Sequence, residues 1–191
     1  DGKKYVLLPT AQDHKRLKEK DKGPNTGGMG AYSPAPLITK DHLDEIIKTI
    51  IEPTIDELNK KNIDYKGVIY FGLMITESGP KVIEYNCRFG DPECQTIMPL
   101  MDQDFVSLLE KCSMGNLTGD EKINNTDKVS GCVIATSKGY PHDYQTGFQI
   151  KIGKIDSNNC QIFDSGTSLS ENGKLLTDGG RVLSIVCQDK T

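Results

Sequence analysis

Five side chains suited to acid, base or metal chemistry fall within ten residues: Glu84, Asn86, Arg88, Asp91 and Glu93. They follow a strand signal, because Val82 and Ile83 are β-branched and come after the turn residues Ser78-Gly79-Pro80. A buried strand is predicted there. Alternation along a strand sends Glu84, Asn86 and Arg88 to one face. A carboxylate and an amide oxygen two residues apart make a hard oxygen pair, which suits Mg²⁺ held between protein and nucleotide phosphates. Arg88 adds a fixed cation where a phosphoryl group in transfer accumulates charge. The other reading is a strand running into an exposed loop of paired charges. Three polar groups on one face beside an apolar run are unusual for such a strand, which favours a site.

Two further stretches have the composition of anion sites. Residues 23–30 hold four glycines together with Pro24, Asn25 and Thr26. Glycines let backbone amides converge on an anion with no Cβ in the way. Asn25, Thr26, Gly27, Gly28, Met29 and Gly30 are therefore candidates for a phosphate or substrate loop, and a plain flexible loop has the same composition. It is not a Walker A loop, since no Lys-Ser or Lys-Thr follows the last glycine, and no strand-to-helix context supports a dinucleotide fingerprint. Gly179-Gly180-Arg181 combines a potential backbone nest with a guanidinium, enough to hold a sugar phosphate. A hairpin turn reads the same way. No Cys/His or Ser/His pairing stands at a recognisable spacing, so covalent catalysis has no support.

The elements that must position these groups are read from periodicity. Asp1-Gly2 reads as a turn leading into a strand over 5–8. A domain should not open on a turn without its first strand, so the chain is expected to be a fragment. Residues 9–22 are mixed in charge and read as a solvated loop. Thr39 caps a helix over 40–61, with Leu43, Ile46, Ile47, Ile50 and Ile51 at amphipathic spacing, and Pro53 should kink or split it. A strand over 68–75 turns through residues 77–80 into the strand of Glu84. Helices follow over 94–97 and 104–114. The polar stretch 115–128 reads as a boundary, and short strands are predicted over 129–137, 148–155, 160–165, 174–177 and 181–187. The fold class is α+β.

The net charge of −4 and pI near 5.4 argue against a nucleic-acid footprint. No apolar run reaches the roughly 18 residues of a membrane span, and no signal-peptide core opens the chain. Six cysteines stand at 87, 94, 112, 132, 160 and 187 without a C-x-x-C pair. Cys132 and Cys187, inside apolar strands, read as small buried hydrophobes in a reducing compartment. A cytoplasmic protein is expected.

The run Ile83-Glu84-Tyr85-Asn86-Cys87-Arg88-Phe89-Gly90-Asp91-Pro92-Glu93 resembles the signature of the phosphoribosylamine–glycine ligase family, within the ATP-grasp superfamily. Gly23-Pro24-Asn25-Thr26-Gly27-Gly28-Met29-Gly30-Ala31-Tyr32-Ser33-Pro34 resembles that family's glycine-rich loop. The resemblance extends from residue 1 to about 186. It implies a partial ATP-grasp domain over 1–116, with the lid and N-terminal domain missing, and the family's small β-rich C-terminal domain over 117–191. Gly139-Tyr140-Pro141 and the segment around Gly179, Gly180 and Arg181 are similar to that C-terminal domain.

The implied reaction joins glycine to 5-phosphoribosylamine at the expense of ATP, through glycyl phosphate, in purine biosynthesis. Its cofactors would be ATP and Mg²⁺ or Mn²⁺, with Glu84 and Asn86 as metal ligands and Arg88 and Asp91 in the catalytic roles. By resemblance, residues 25–30 would close over the acyl phosphate, and His14, Lys15 and Lys22 would lie beside the phosphates. One departure stands out. Many superfamily members carry a second metal-binding acid opposite the glutamate, and here that position is Gly72. The expected partners are the two small substrates and the missing N-terminal part of the enzyme, without which the chain should turn over little. Two rival readings are another ATP-grasp carboxylate ligase or carboxylase of purine metabolism, and a non-catalytic binding module derived from one.

Overall fold

A computed structural model of the protein describes every residue except 122, 124–126, 156–157 and 191. The part of the expected 115–128 boundary that falls on 122 and 124–126 lies outside the described residues. In chain order the strands β1 Gln12–Asp13, β2 Arg16–Lys18, β3 Lys22–Asn25 and β4 Gly30–Ser33 precede the helices α1 Lys40–Ile46 and α2 Glu52–Lys60. The strands β5 Tyr70–Thr76 and β6 Gly79–Asn86 follow, then helices α3 Glu93–Ile97 and α4 Phe105–Met114. Strands β7 Lys128–Thr136, β8 Cys160–Asp164, β9 Thr167–Leu169, β10 Leu175–Thr177 and β11 Arg181–Lys190 complete the chain, an α+β composition as expected.

The contacts group these elements into two compact units, Asp1–Thr10 with Ala35–Gly90 and Met101–Asn125, and Ala11–Pro34 with Asp91–Leu100 and Thr126–Thr191. This grouping does not follow a boundary at 116/117. The reason lies in strand pairing: β4, early in the chain, hydrogen-bonds to β7, so the glycine-rich segment joins the C-terminal strands.

In the first unit Thr39 caps α1, its side chain accepting from the His42 amide as the sequence implied. The long helix is split, with a π-helical turn over Ile47–Ile51 between α1 and α2. Pro53 has no amide to donate, and the chain absorbs the missing bond there without a sharp break. Ile46, Ile50 and Ile51 are buried. No strand forms over 5–8, contrary to expectation. Among the described residues strands β5 and β6 pair only with each other, as an antiparallel ribbon. Val82 and Ile83 are therefore exposed, Ile83 to 62%, where the sequence predicted a buried strand. Hydrophobicity sets which residues suit a strand, but the number of layers around it sets burial.

In the second unit β1, β4, β7, β11 and β8 form one five-stranded antiparallel sheet in that order. Alternation is clear along β7, where Ser130, Cys132 and Ile134 are buried and Val133 is exposed. Cys132, Ile134 and Val186 make its apolar core, and α3 packs against this sheet with Thr96 and Ile97 buried. Two expectations are corrected here. The segment 148–155 is not a strand, since only Gln149 forms a bridge, to Leu176. Cys187 is not a buried hydrophobe: it is exposed and disulfide-bonded to Cys160. The two cysteines face each other across β11 and β8, a pairing fixed by strand register that a spacing of 27 residues does not reveal.

Candidate functional site

The ribbon of the first unit carries the oxygen pair. Gly72 of β5 stands directly opposite Glu84 of β6, with a register shift between Gly72 and Leu73. A Cβ built on Gly72 would lie 2.8 Å from Glu84 Cγ. The glycine thus has a physical reason: the Glu84 side chain folds across the partner strand, and any larger residue would displace it. Asn86 ends β6. Arg88 lies two residues beyond the strand, and its guanidinium turns back to donate to Asn86 Oδ1 at 3.4 Å and to the Phe89 carbonyl at 2.8 Å. Of the predicted trio, Asn86 and Arg88 are in contact, Arg88 reaching back from a turn rather than by strand alternation, and Glu84 precedes Asn86 by two residues on β6. Among the described residues no cluster of three or more His, Cys, Asp or Glu side chains is set to hold a metal. A divalent cation that takes few protein oxygens and fills its shell with phosphates and water fits Glu84 and Asn86, and Mg²⁺ behaves in that way.

The glycine-rich loop belongs to the second unit, and it is tied down. The Thr26 amide donates to the Lys15 carbonyl, the Gly28 amide to Thr26 Oγ1, and the Met29 amide to the His14 carbonyl. The Gly27 amide donates to the Tyr140 hydroxyl at 2.8 Å. Four successive amides are thereby spent inside the protein, so the loop is neither the open anion nest nor the flexible connection that its composition allowed. Its glycines serve close approach instead. A Cβ on Gly28, whose φ is +118°, would sit 2.6 Å from Pro92 Cδ and 2.9 Å from Asp13 Oδ1; one on Gly30 would sit 2.4 Å from the Cys132 carbonyl oxygen. His14 and Lys15 hold the loop through their backbones, their side chains being exposed, and Lys22 lies on β3 together with Asn25.

Asp91 and Arg181, separated by 90 residues, form the second unit's central ion pair. Arg181 donates from Nη2 to Asp91 Oδ2 at 3.0 Å and from Nη1 to Oδ1 at 3.3 Å, a forked contact. Nη1 also reaches the Asp91 and Gly27 carbonyls, both at 2.9 Å. Asp91 further accepts from Gln95. The Gly179 carbonyl accepts from the Ser137 hydroxyl, and Gly180 lies under the Tyr140 ring, where a Cβ would be 2.3 Å from Cδ2. Neither glycine has a positive φ, so the close approach of the ring explains the glycine at 180.

Sequence reasoning gave no role of its own to three residues of this cluster. Tyr140 was visible only as part of a resemblance. Asp13, in a charged stretch, has one carboxylate oxygen shielded from solvent and without a hydrogen-bond partner. Its pKa is pushed up to about 6, first by desolvation and then by the nearby Glu93, with Lys15, the His14 amide and Arg181 pulling it back. Glu93 itself is buried at the start of α3. Nothing in a one-dimensional pattern marks either carboxyl as interior.

A family model described as phosphoribosylglycinamide synthetase, ATP-grasp (A) domain, matches residues 1–94, and one described as the C domain of the same synthetase matches residues 130–191. A phosphoribosylamine–glycine ligase of Caldanaerobacter subterraneus is 47% identical over 97% of this chain and 44% of its own length. The trifunctional purine biosynthetic protein adenosine-3 of Gallus gallus is also 47% identical over 97% of this chain, which covers 18% of that protein. The crystal structure of phosphoribosylamine–glycine ligase from Thermotoga maritima matches all of this chain and 46% of its own, at a TM-score of 0.85 and 33% identity. The chain spans less than half the length of these relatives. Two models of one family in the order its domains take, and a solved relative that follows the fold throughout, leave one assignment: the chain belongs to the phosphoribosylglycinamide synthetase family.

Proposed function

We propose that this chain is the ATP-grasp catalytic portion of a ligase that joins glycine to 5-phosphoribosylamine, giving glycinamide ribonucleotide, ADP and phosphate. The observation that carries this reading is the ribbon end, where Gly72 makes room for Glu84 and Arg88 bonds to Asn86. A carboxylate oxygen of glycine attacks the γ-phosphorus of ATP, the bond to the ADP oxygen breaks, and glycyl phosphate results. The amine nitrogen of phosphoribosylamine then adds to the acyl carbon, inorganic phosphate leaves, and the nitrogen gives up a proton. Two anions meet in the first step, so its barrier is mainly electrostatic. Glu84 and Asn86 would hold Mg²⁺ or Mn²⁺, which when bound neutralises phosphate charge. Arg88 holds its own charge beside them. Asp91, whose oxygens already serve Arg181 and Gln95, orients an amine only with the acceptor capacity left to it.

Residues 25–30 are the phosphate or substrate loop of this reading, and His14, Lys15, Lys22, Gly179, Gly180 and Arg181 its further candidates for substrate contact. The reaction is assigned to the polypeptide that carries the rest of the relatives' length, covalently or as a second chain, in a cytoplasmic setting. No helix among the described residues is long and apolar enough to cross a membrane. The test is phosphate release by that longer protein with glycine and phosphoribosylamine omitted in turn. Release that needs glycine, and product that needs both, is the expected result. Equal release with formate or bicarbonate in place of glycine transfers the assignment to another carboxylate ligase or carboxylase.

A further inference from the structure

The disulfide of the second unit ends a row that strand register defines. Gln12, Tyr32, Gly131, Cys187 and Cys160 stand opposite one another across β1, β4, β7, β11 and β8. The Gln188 amide donates to the Asn159 carbonyl at 2.9 Å, directly outside the cysteine pair. Cys187 and Cys160 thus occupy a non-hydrogen-bonded position, where opposed side chains come closest. Along β7, Ser130, Cys132 and Ile134 are buried while Gly131 and Val133 are exposed, and Cys187 is exposed beside Gly131. A Cβ built on Gly131 would meet nothing within 4 Å, and its φ is not positive. Neither close packing nor a turn requires this glycine. The Tyr32 ring, next in the row, is engaged elsewhere: it lies 5.3 Å from the His14 ring, and its hydroxyl donates to Gln12 Oε1. A glycine inside a strand weakens it, and often marks a place where something else approaches the backbone.

We propose that Cys160–Cys187 is a thiol–disulfide exchange site, opened by a dithiol whose thiolate attacks Cys187 Sγ over Gly131. A thiolate attacks a disulfide sulfur along the extension of the S–S bond, since it donates into the orbital on that side. The bond between directly opposed cysteines runs broadly across the strands, so the line through Cys187 Sγ continues over β7 at Gly131. In the first step a new S–S bond forms to Cys187, the Cys160–Cys187 bond breaks, and Cys160 leaves as a thiolate that takes a proton from water. The second thiol of the reductant then displaces Cys187. The pair gains two electrons, and the dithiol becomes a disulfide. Reduction leaves β8 held to β11 by its ladder alone. In the cytoplasmic setting proposed above, a disulfide is more often one that is made and broken than a permanent staple.

The experiment uses the longer protein, oxidised, with its accessible free thiols first blocked by iodoacetamide. Dithiothreitol is the probe, and maleimide labelling of the released thiols gives the rate. Gly131→Val and Gly131→Ala raise side chains in the path; both should fold, because the position is open and tolerates a Cβ. Gly153→Val is the control, at another glycine with nothing within 4 Å and no place in the cysteine row. Reduction should slow about tenfold in Gly131→Val and about threefold in Gly131→Ala, with the control matching the wild type, as loss of access to one sulfur implies. In a second arm, glutathione replaces dithiothreitol and the reaction is quenched in acid. Mass spectrometry should then find the adduct on Cys187 and the free thiol on Cys160. An unchanged rate in folded Gly131→Val, or an adduct on Cys160, overturns the path over Gly131. A wild-type pair that is reduced no faster than the protein unfolds overturns the site. None of these readouts involves ATP or glycine, so the outcome is separate from the ligase reading.

Discussion

The ribbon of β5 and β6 and the Asp91, Arg181 and Gly27 cluster solve the problem of placing polar groups in opposite ways. The ribbon is local: its three key side chains lie within five residues, on β6 and the turn just after it, with Ile83 and Tyr85 left exposed. The cluster is assembled from residues 27, 91, 140 and 181, and one of its hydrogen bonds spans 154 positions. A two-stranded ribbon by itself has little stability to spend, whereas the cluster sits on a five-stranded sheet with an apolar core. Side chains doing charge chemistry can therefore be replaced on the ribbon at small structural cost. In the cluster the same kind of side chain also holds the backbone in place.

The largest effect expected from this contrast is catalytic. Glu84→Gln in the longer protein keeps the side chain's shape and removes its charge. ATP turnover should fall by about a hundredfold or more, the scale of losing one electrostatic contact to a transferring group. Its melting temperature should match the wild type. A large drop in melting temperature would mean that the ribbon, too, depends on its polar groups for stability, and the comparison would fail.

Next comes the sheet beneath the cluster. Cys160 and Cys187 join β8 to β11, closing a separation of 27 residues. Cys187→Ser should cost about 3 kcal/mol in oxidising buffer, from the lost constraint on the unfolded chain. In reductant the difference should vanish. Urea unfolding in the two buffers gives both values, and equal stability in oxidising buffer would show that the pair contributes nothing to the sheet.

That pair also marks where sequence reading ends. The ribbon was legible because strand alternation and turn chemistry act over a few residues; the opposition of Gly72 and Glu84 came from the resemblance, since counting back through the turn pairs Gly72 with Ile83 and a register shift carries it to Glu84. Thr39 as a cap and Pro53 as a helix divider were legible for the same reason. What was missed is set by contacts between distant segments. The joining of β4 to β7 decided that the glycine loop would be fastened rather than free. The bulge at Arg181 aimed its guanidinium at Asp91, and a cross-strand register brought Cys160 to Cys187. Val82 and Ile83 are exposed in this span of chain, where β5 and β6 pair with no further strand among the described residues.

A smaller effect tests the ribbon's packing. Gly72→Ala places a Cβ 2.8 Å from Glu84 Cγ, a contact relieved only by moving the Glu84 side chain. Stability should change by about 1 kcal/mol or less, since both strands are solvated on one face. Mg²⁺ dependence should change more, with the metal concentration for half-maximal turnover rising about tenfold. Unchanged metal dependence would detach the glycine from the role given to Glu84.

The smallest effect belongs to the cluster and carries a sign. The Asp13 carboxyl has its pKa raised from 3.8 to about 6, by burial first and by Glu93 second, against the pull of Lys15, the His14 amide and Arg181. The folded state then holds this proton more tightly than the unfolded chain does. Below about pH 4 the residue costs nothing; between that point and about pH 6 the cost grows, and above it the full cost remains. Asp13→Asn removes the charge, so it should stabilise the protein by about 1 kcal/mol at pH 7.5, a value discounted from the full shift because the carboxyl is partly solvated. At pH 5 about half the gain should remain. Urea midpoints at the two pH values measure it. A gain that does not shrink at pH 5 would trace to the amide's own hydrogen bonds. No gain at either pH would show that the Asp13 charge costs the fold nothing, and the raised pKa would fall with it.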